Sequence, residues 1–342
     1  MSLKFLKNKS ILITGGTGTV GSALVFKLIQ SECRVIRVMS NDENTLYELS
    51  NKINGQFLSD SNFFRDMKKN RIRFFLGDVR DFKRCKEVTR KVDIVVHAAA
   101  LKHVGISEYN SSEAIQTNID GTKNMLKASI KNKVSKFLFI STDKVVSPKN
   151  IMGLTKFRAE NYVINSKKLI SNSKIKVASI RFGNILGSRG SVVPKFINSL
   201  KNNNRIFVTH KKMSRFVMSV DQAINSIVKS IRYMQGSEIF IMKSMKCFKI
   251  IDLAKSLVKY MNKNKNKIII LNKKGNEKLE EELFTQNEIP FIKSKYNMFI
   301  ITKKKQEQTD NLANQLSKFG ISNFNFLSEK EIIKLLKKIK IL

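Results

Sequence analysis

At 342 residues with 42% hydrophobic content, the chain can bury a full core, which predicts one large domain with a smaller lobe. Its three cysteines, Cys33, Cys85 and Cys247, lie far apart without a CxxC pair or histidine cluster, which excludes a disulfide scaffold and a zinc site, so no metal is expected. The net charge of +37 comes from lysines spread along the whole chain, so a specific nucleic-acid partner is not expected; no run approaches the roughly 18 apolar residues of a membrane helix and no apolar leader follows Met1, which places the chain in the cytoplasm.

From residue 10 to about residue 182, short apolar runs alternate with longer amphipathic stretches. The runs are Ile11 to Ile13, Val35 to Met39, Arg73 to Leu76, Ile94 to His97, Phe137 to Ile140 and Val177 to Arg181. Between them, Ser22 to Ser31 and Glu113 to Asn132 carry apolar residues at helical spacing. This is the pattern of an α/β fold, a Rossmann-like doubly wound parallel sheet with helices on both faces. After Asn184 the regularity fades, with further strands expected at Glu238 to Met242 and Lys267 to Leu271 and a terminal helix at Ser328 to Ile339. The expected organisation is a dinucleotide-binding domain over 1–183, a substrate-binding lobe over 184–302 interleaved with it, and a tail over 303–342 ending in that helix.

The first run is followed by Thr14, Gly15, Gly16, Thr17, Gly18, Thr19, Val20 and Gly21, a Gly-x-x-Gly-x-x-Gly spacing between a strand and a helix. Gly15 permits a tight turn, Gly18 lets the backbone approach a pyrophosphate, and Gly21 lets helix and strand pack closely. The helix start offers unpaired N–H groups and a positive dipole end to that pyrophosphate. The second run ends at Ser40, Asn41, Asp42 and Glu43, where the adenosine ribose is read: Ser40 and Asn41 suit a 2′-phosphate, whereas Asp42 suits a free 2′-hydroxyl. Asp78 and Val79 follow the third run, near the adenine, and Ala98 and Ala99 follow the fourth, small enough for the chain to run beside a cofactor.

The fifth run leads into Ser141, Thr142, Asp143 and Lys144, reactive side chains at the carboxyl end of a parallel strand, where such sheets bind ligands. Met152 and Lys156 open the next helix on one face, looking back at that turn. Ser188, Arg189, Gly190, Ser191 and Val192 form a loop with backbone donors and one guanidinium, suited to phosphates and a uracil edge.

The segments Thr14 to Gly21, His97 to Lys102, Ser141 to Lys144, Met152 to Lys156, Arg181 to Pro194, Ser214 to Ser219 and Gly275 to Leu283 together resemble the CapD-like polysaccharide biosynthesis proteins, in particular the UDP-N-acetylglucosamine 4,6-dehydratases of the extended short-chain dehydrogenase/reductase superfamily. The resemblance covers nearly the whole chain, in order. It implies a lyase that oxidises sugar C4, eliminates water across C5 and C6 and returns the hydride to C6, with or without inversion at C5. It implies Lys144 as the base at C5, Asp143 as the acid at the C6 hydroxyl, and Thr142 as the group holding the 4-hydroxyl. Met152 stands where the wider superfamily has a tyrosine, as in one branch of these dehydratases, which leaves Asp143, Lys144 or a water to accept the 4-hydroxyl proton. Lys156 would bind the nicotinamide ribose, and Lys102 would face both cofactor and substrate. The resemblance further implies Asn184 at the diphosphate, Arg215 on phosphate and Glu282 on the ribose, with Arg189 and Val192 of the loop above completing the expected substrate site. Gly105 replaces a usual proline, and Asn41 a common arginine that reads the NADP phosphate; the family still favours NADP, with NAD as the other choice. A homo-oligomer is implied by the same resemblance. The competing readings are a UDP-hexose 4-epimerase, which needs no acid and base at C6 and C5, and a non-catalytic NAD(P)-binding sensor.

Overall fold

The first strand, β1 (Ser10–Thr14), is buried at every position, and its side chains divide by parity between two cores. Ile11 and Ile13 face one side with Ile94, Val96, Leu138 and Ile140; Leu12 faces the other with Val95, Phe137 and Phe139. Such two-sided burial is what near-continuous apolar runs specify in a parallel sheet. The computed structural model describes residues 2–57, 71–263, 267–271, 277–306, 312, 316 and 325–342. Gly275, and the parts of the expected tail at 307–311, 313–315 and 317–324, lie outside the described residues.

In chain order the strands are β1, β2 (Val35–Ser40), β3 (Ile72–Leu76), β4 (Ile94–His97), β5 (Lys136–Thr142), β6 (Lys176–Phe182), β7 (Asn184–Ile185), β8 (Ile206–Val208), β9 (Ser214–Met218), β10 (Glu238–Met242), β11 (Lys246–Lys249), β12 (Ile268–Ile270), β13 (Ile292–Lys295) and β14 (Met298–Ile301). The helices used below are α1 (Thr19–Ile29), α2 (Glu43–Phe57), α3 (Phe82–Val88), α4 (Gly121–Lys131), α5 (Ile151–Ile164), α6 (Val192–Lys201), α7 (Val220–Tyr233), α8 (Ile250–Tyr260) and α9 (Glu329–Lys338). Among the described residues, nine strands form the main sheet in the order β13-β14-β10-β6-β5-β4-β1-β2-β3. The seven from β10 to β3 pair in parallel. The order reverses at β1, whose neighbours are β2 and β4, and the connections leaving the two sides open a crevice at their carboxyl ends.

α1 presents Leu24, Val25, Leu28 and Ile29 to the first core, one helical stripe. Burying each such leucine contributes about 1.5–3 kcal/mol. α7 joins that face through Ile224, Ile227, Val228 and Ile231 after a Ser219–Gln222 capping box. α3, α4 and α5 cover the opposite face.

The sheet does not stop at residue 184. Glu238–Met242, all buried, pairs in parallel with β6, and the β13–β14 hairpin closes that edge antiparallel. Other post-184 elements build a third core, including Val193, Phe196 and Leu200 of α6 and Leu253 and Leu257 of α8. β7, β9 and β11 form a small sheet there, and β8 pairs in parallel with β12. α9, capped by Ser328 with Glu331, adds Ile332 and Leu336 to the same core, so the terminal helix is packed against it.

Candidate active site

The β1–α1 turn shows why glycines stand there. Gly15 has φ +62°, and a Cβ on it would lie 2.8 Å from the Ala99 backbone. A Cβ on Gly21 would lie 2.3 Å from the Gly15 carbonyl, so strand, turn and helix can close together only without side chains. The N-cap of α1 is Gly18, with no side-chain cap, which leaves the first N–H groups of the helix, from Thr19, Val20 and Gly21, facing the crevice. Thr17 Oγ1 lies 3.0 Å from Ser40 Oγ and accepts from Thr45 Oγ1 at 3.0 Å, a hydroxyl cluster at the end of β2. Asp42 Oδ1 accepts from the Thr45 N–H at 3.1 Å and so caps α2. The carboxylate of Asp78 accepts from Arg80 at 2.7 Å; burial alone would raise its pKa, but the hydrogen bonds from Arg80 outweigh burial and hold it low. Val79 packs against Gly121 at the start of α4, and Ala98 and Ala99 border the Gly15 turn. An uncapped helix start, a turn stripped of side chains and hydroxyls at the ribose position fit a dinucleotide.

At the end of β5 the chemistry-bearing groups converge. Thr142 Oγ1 donates to Asp143 Oδ1 at 2.9 Å and Lys144 Nζ donates to the same oxygen at 2.9 Å. Lys144 Nζ also donates to Asn184 Oδ1 at 3.1 Å and lies 3.5 Å from Glu281 Oε1. Asp143 is wholly buried, and its Oδ2 has no hydrogen-bond partner. Burial works to lower the Lys144 pKa, but the carboxylates of Asp143 and Glu281 more than compensate and raise it. Glu281 itself is raised, by burial first and Asp143 next, against the pull of Lys144 and Arg215. Arg215, on β9, places Nε 3.9 Å from Glu281 and Nη2 3.1 Å from Glu277. Among the described residues, the buried side-chain atoms without partners include Ser141 Oγ, Asp143 Oδ2, Ser191 Oγ, Ser214 Oγ and Glu281 Oε2, all on segments that border this site. Unsatisfied polar atoms gathered in one place mark where a ligand's groups would complete the bonding.

Met152 is buried on the first turn of α5, where the Asn150 side chain caps the Gly153 N–H at 2.8 Å. Lys156, one turn on, donates from Nζ to the Ile140 carbonyl at 2.5 Å and stands 3.9 Å over the Phe139 ring. Burial pushes its ammonium down to about 7, with Glu160 acting in the opposite sense. His97, at the end of β4, bonds through Nδ1 to Thr14 Oγ1 at 2.7 Å and through Nε2 to Thr122 Oγ1 at 3.0 Å. Asn118 bridges the Leu101 backbone, at 2.8 Å and 3.1 Å, to Thr155 Oγ1 at 3.0 Å, tying the loop after β4 to α5. Gly105, within the short helix Val104–Tyr109, faces open space.

Three expected substrate residues, Asn184, Val192 and Arg215, line one recess with Ser191, Val217 and Phe248. Arg189 is held over the start of α1: its N–H donates to Thr19 Oγ1 at 3.3 Å and its carbonyl accepts from Lys102 Nζ at 2.8 Å. Glu282 lies outside the cluster, with its side chain 54% exposed and paired to Lys278 at 3.5 Å. The carboxylate brought to Lys144 and Arg215 is Glu281, one residue earlier. In a run of three glutamates sequence cannot select which one turns inward. Lys278 decides the register, since its Nζ donates to the Val146 carbonyl at 2.5 Å and pins this segment beside the turn after Lys144. Behind the site, Arg181 on β6 binds Glu160 of α5 at 2.7 Å, Glu288 at 2.7 Å and the Leu283 carbonyl at 3.1 Å, joining three segments around it.

Residues 11–303 match the family model described as polysaccharide biosynthesis protein. The chain is 37% identical to an uncharacterized membrane protein of Methanocaldococcus jannaschii, over 99% of this chain and 98% of that one, although no helix among the described residues is long and apolar enough to cross a membrane. It is 38% identical to the capsular polysaccharide biosynthesis protein CapD of Staphylococcus aureus, over 83% of this chain and 46% of that protein. Identity to a UDP-glucose 4-epimerase of Rickettsia canadensis is 35%, over 82% and 79%. The X-ray structure of Pen from Bacillus thuringiensis is similar with a TM-score of 0.86 and 34% identity, over 99% of both chains.

Proposed function

The chain belongs to the polysaccharide biosynthesis protein family that its residues 11–303 match, and from that premise we propose that it is a nucleotide-sugar 4,6-dehydratase acting on UDP-N-acetylglucosamine. The observation that carries this reading is the Thr142–Asp143–Lys144 constellation, in which one carboxylate oxygen is held by the hydroxyl and the ammonium while the other is buried and unpartnered. A nicotinamide dinucleotide, which Gly15, Gly18 and the first N–H groups of α1 would hold at its pyrophosphate and Lys156 at its ribose, would supply reversible hydride transfer with no net change in the cofactor. We favour NADP as that cofactor.

The chain's own residues do the rest. Asp143 and Lys144 at rest hold one proton between them, as carboxylate and ammonium. Moving that proton across the 2.9 Å hydrogen bond gives the amine and carboxylic acid that elimination needs. The Lys144 amine then takes the C5 proton, and Asp143 protonates the departing C6 hydroxyl as water. The pair is then again carboxylate and ammonium; once hydride has returned to C6, the Lys144 ammonium gives a proton to C5, and the proton released by the 4-hydroxyl replaces the one lost with the water. Thr142 orients the 4-hydroxyl, and Met152 cannot titrate, so the proton of that hydroxyl goes to Asp143, Lys144 or a water. Asn184 and Arg215 suit the diphosphate, and the apolar wall of their recess suits the uracil.

A second reading has one specific support: relatives about as similar as CapD bear the name UDP-glucose 4-epimerase. A 4-epimerase inverts C4 at constant mass and leaves C5 untouched. Incubating the protein with UDP-N-acetylglucosamine in deuterated water separates the two. A product lighter by one water and deuterated at C5 supports the dehydratase; a C4 epimer of unchanged mass without C5 label refutes it.

A further inference from the structure

Glu281 is 2% exposed, and its two oxygens have unlike surroundings. Oε1 lies between two cations, 3.5 Å from Lys144 Nζ and 3.9 Å from Arg215 Nε, whereas Oε2 is buried without a partner. The charged groups that face it are Asp143 and Lys144 from the turn after β5, Arg215 from β9 and Lys278 from its own segment. Arg215 has a further carboxylate partner, Glu277, at 3.1 Å, and Glu277 is 45% exposed, so a ligand can replace it from the solvent side.

Burial works against the charge of a carboxylate in this position, and the two cations beside it work for that charge. Removing either cation's attraction strengthens its hold on a proton. A diphosphate seated on Arg215 does this, because it satisfies the guanidinium and adds negative charge nearby.

We infer that Glu281 is a positioning residue for Lys144, anchoring it beside Asp143 in the free protein and taking up a proton from solvent when a nucleotide diphosphate occupies Arg215. This rests on the nucleotide-sugar reading above. Once neutral, Glu281 no longer competes for the Lys144 ammonium. Lys144 is then paired with Asp143 alone, and the proton shift that readies the amine and the acid loses an opposing charge. The proton returns to water when the nucleotide leaves.

Calorimetry of UDP binding near neutral pH, repeated in buffers of different ionisation heat, measures that proton directly and does not depend on turnover. The wild-type protein is expected to take up a measurable fraction of a proton per UDP. Glu281→Gln should take up none, with UDP affinity equal or tighter because Arg215 is no longer shared. Glu281→Asp, which keeps the carboxylate, should restore part of the uptake and controls for a folding defect. Equal uptake in wild type and Glu281→Gln would overturn the inference and leave the dehydratase reading standing. A loss of UDP affinity of about tenfold in Glu281→Gln would overturn it in favour of a direct nucleotide contact, since a hydrogen bond to a charged group carries roughly that much. UDP that does not bind at all would refute both readings.

Discussion

Acid should unfold this protein partly through one ring, His97. The imidazole is fully buried between Thr14 and Thr122, 2.7 Å and 3.0 Å from their hydroxyls. Thr122 Oγ1 donates to the Asn118 carbonyl at 2.7 Å, so it accepts from Nε2–H, and Thr14 Oγ1 donates to Nδ1. The network therefore specifies the neutral ring. Burial, with the nearby Lys156 charge second, lowers the His97 pKa from 6.5 to about 3. An unfolded chain takes up a proton on this ring below about pH 6.5 that the native chain refuses, so stability is fully present above that pH and is lost as pH falls toward 3. The loss is about 1.4 kcal/mol per pH unit, which reaches on the order of 4 kcal/mol by about pH 3.5. His97→Gln can still bond both threonines and does not titrate. Urea unfolding between about pH 7 and pH 4 should show the wild type losing roughly 3 kcal/mol more than His97→Gln, since other titrating groups cancel in the difference. Parallel pH dependences of the two proteins would refute the reasoning.

Three further outcomes follow from the geometry. Gly15→Ala forces a side chain into φ +62° and a Cβ to 2.8 Å from the Ala99 backbone; it should cost about 1–2 kcal/mol of stability from the backbone alone and sharply weaken binding of reduced nicotinamide dinucleotide, read by the ligand's fluorescence. Asp143→Asn keeps the shape but cannot deliver a proton; water loss from the nucleotide sugar should slow by about 100-fold or more while nicotinamide binding is unchanged, as single-turnover and fluorescence titrations would show. Arg181→Met strands the buried Glu160 carboxylate and frees Glu288 and the Leu283 carbonyl; thermal and urea unfolding should report a loss of about 3–5 kcal/mol, partly recovered when Glu160→Gln is added.

What could be read from the chain followed how locally each feature is specified. The central parallel strands through Phe182 were legible because both-face burial demands near-continuous apolar runs, and the glycine turn was legible because φ and close approach select one residue type. The β13–β14 hairpin was not, although its signal was present: Tyr296 and Asn297 each have φ 58°, the two-residue left-handed turn that asparagine favours. Four-residue strands around such a turn are too short to show an alternation above the lysine-rich background. Glu238–Met242 was legible as a strand but not as a member of the main sheet, because apolarity reports burial and says nothing of which neighbour supplies it.

The inward glutamate was the least legible feature, and its consequence is chemical. Lys144 read alone, after a strand and beside an aspartate, invites the role of a base. With Glu281 3.5 Å away, it sits in the free protein between two carboxylates that favour the ammonium, a state that cannot accept the C5 proton. Either the lysine is not the base, or something the substrate brings must release it. The diphosphate is the part of the substrate that can do so, because the same glutamate is 3.9 Å from Arg215. A site built this way would react only with its nucleotide end filled, spending binding energy from a remote part of the substrate to ready the reacting centre. N-acetylglucosamine 1-phosphate, which keeps the sugar and one phosphate but lacks the uridine monophosphate half and so the diphosphate, should therefore lose kcat as well as affinity, whereas a site whose lysine is already a free amine would lose affinity alone. Saturation kinetics with the truncated sugar phosphate decide between them, and an unchanged kcat would remove the reason for coupling Lys144 to Arg215 at all.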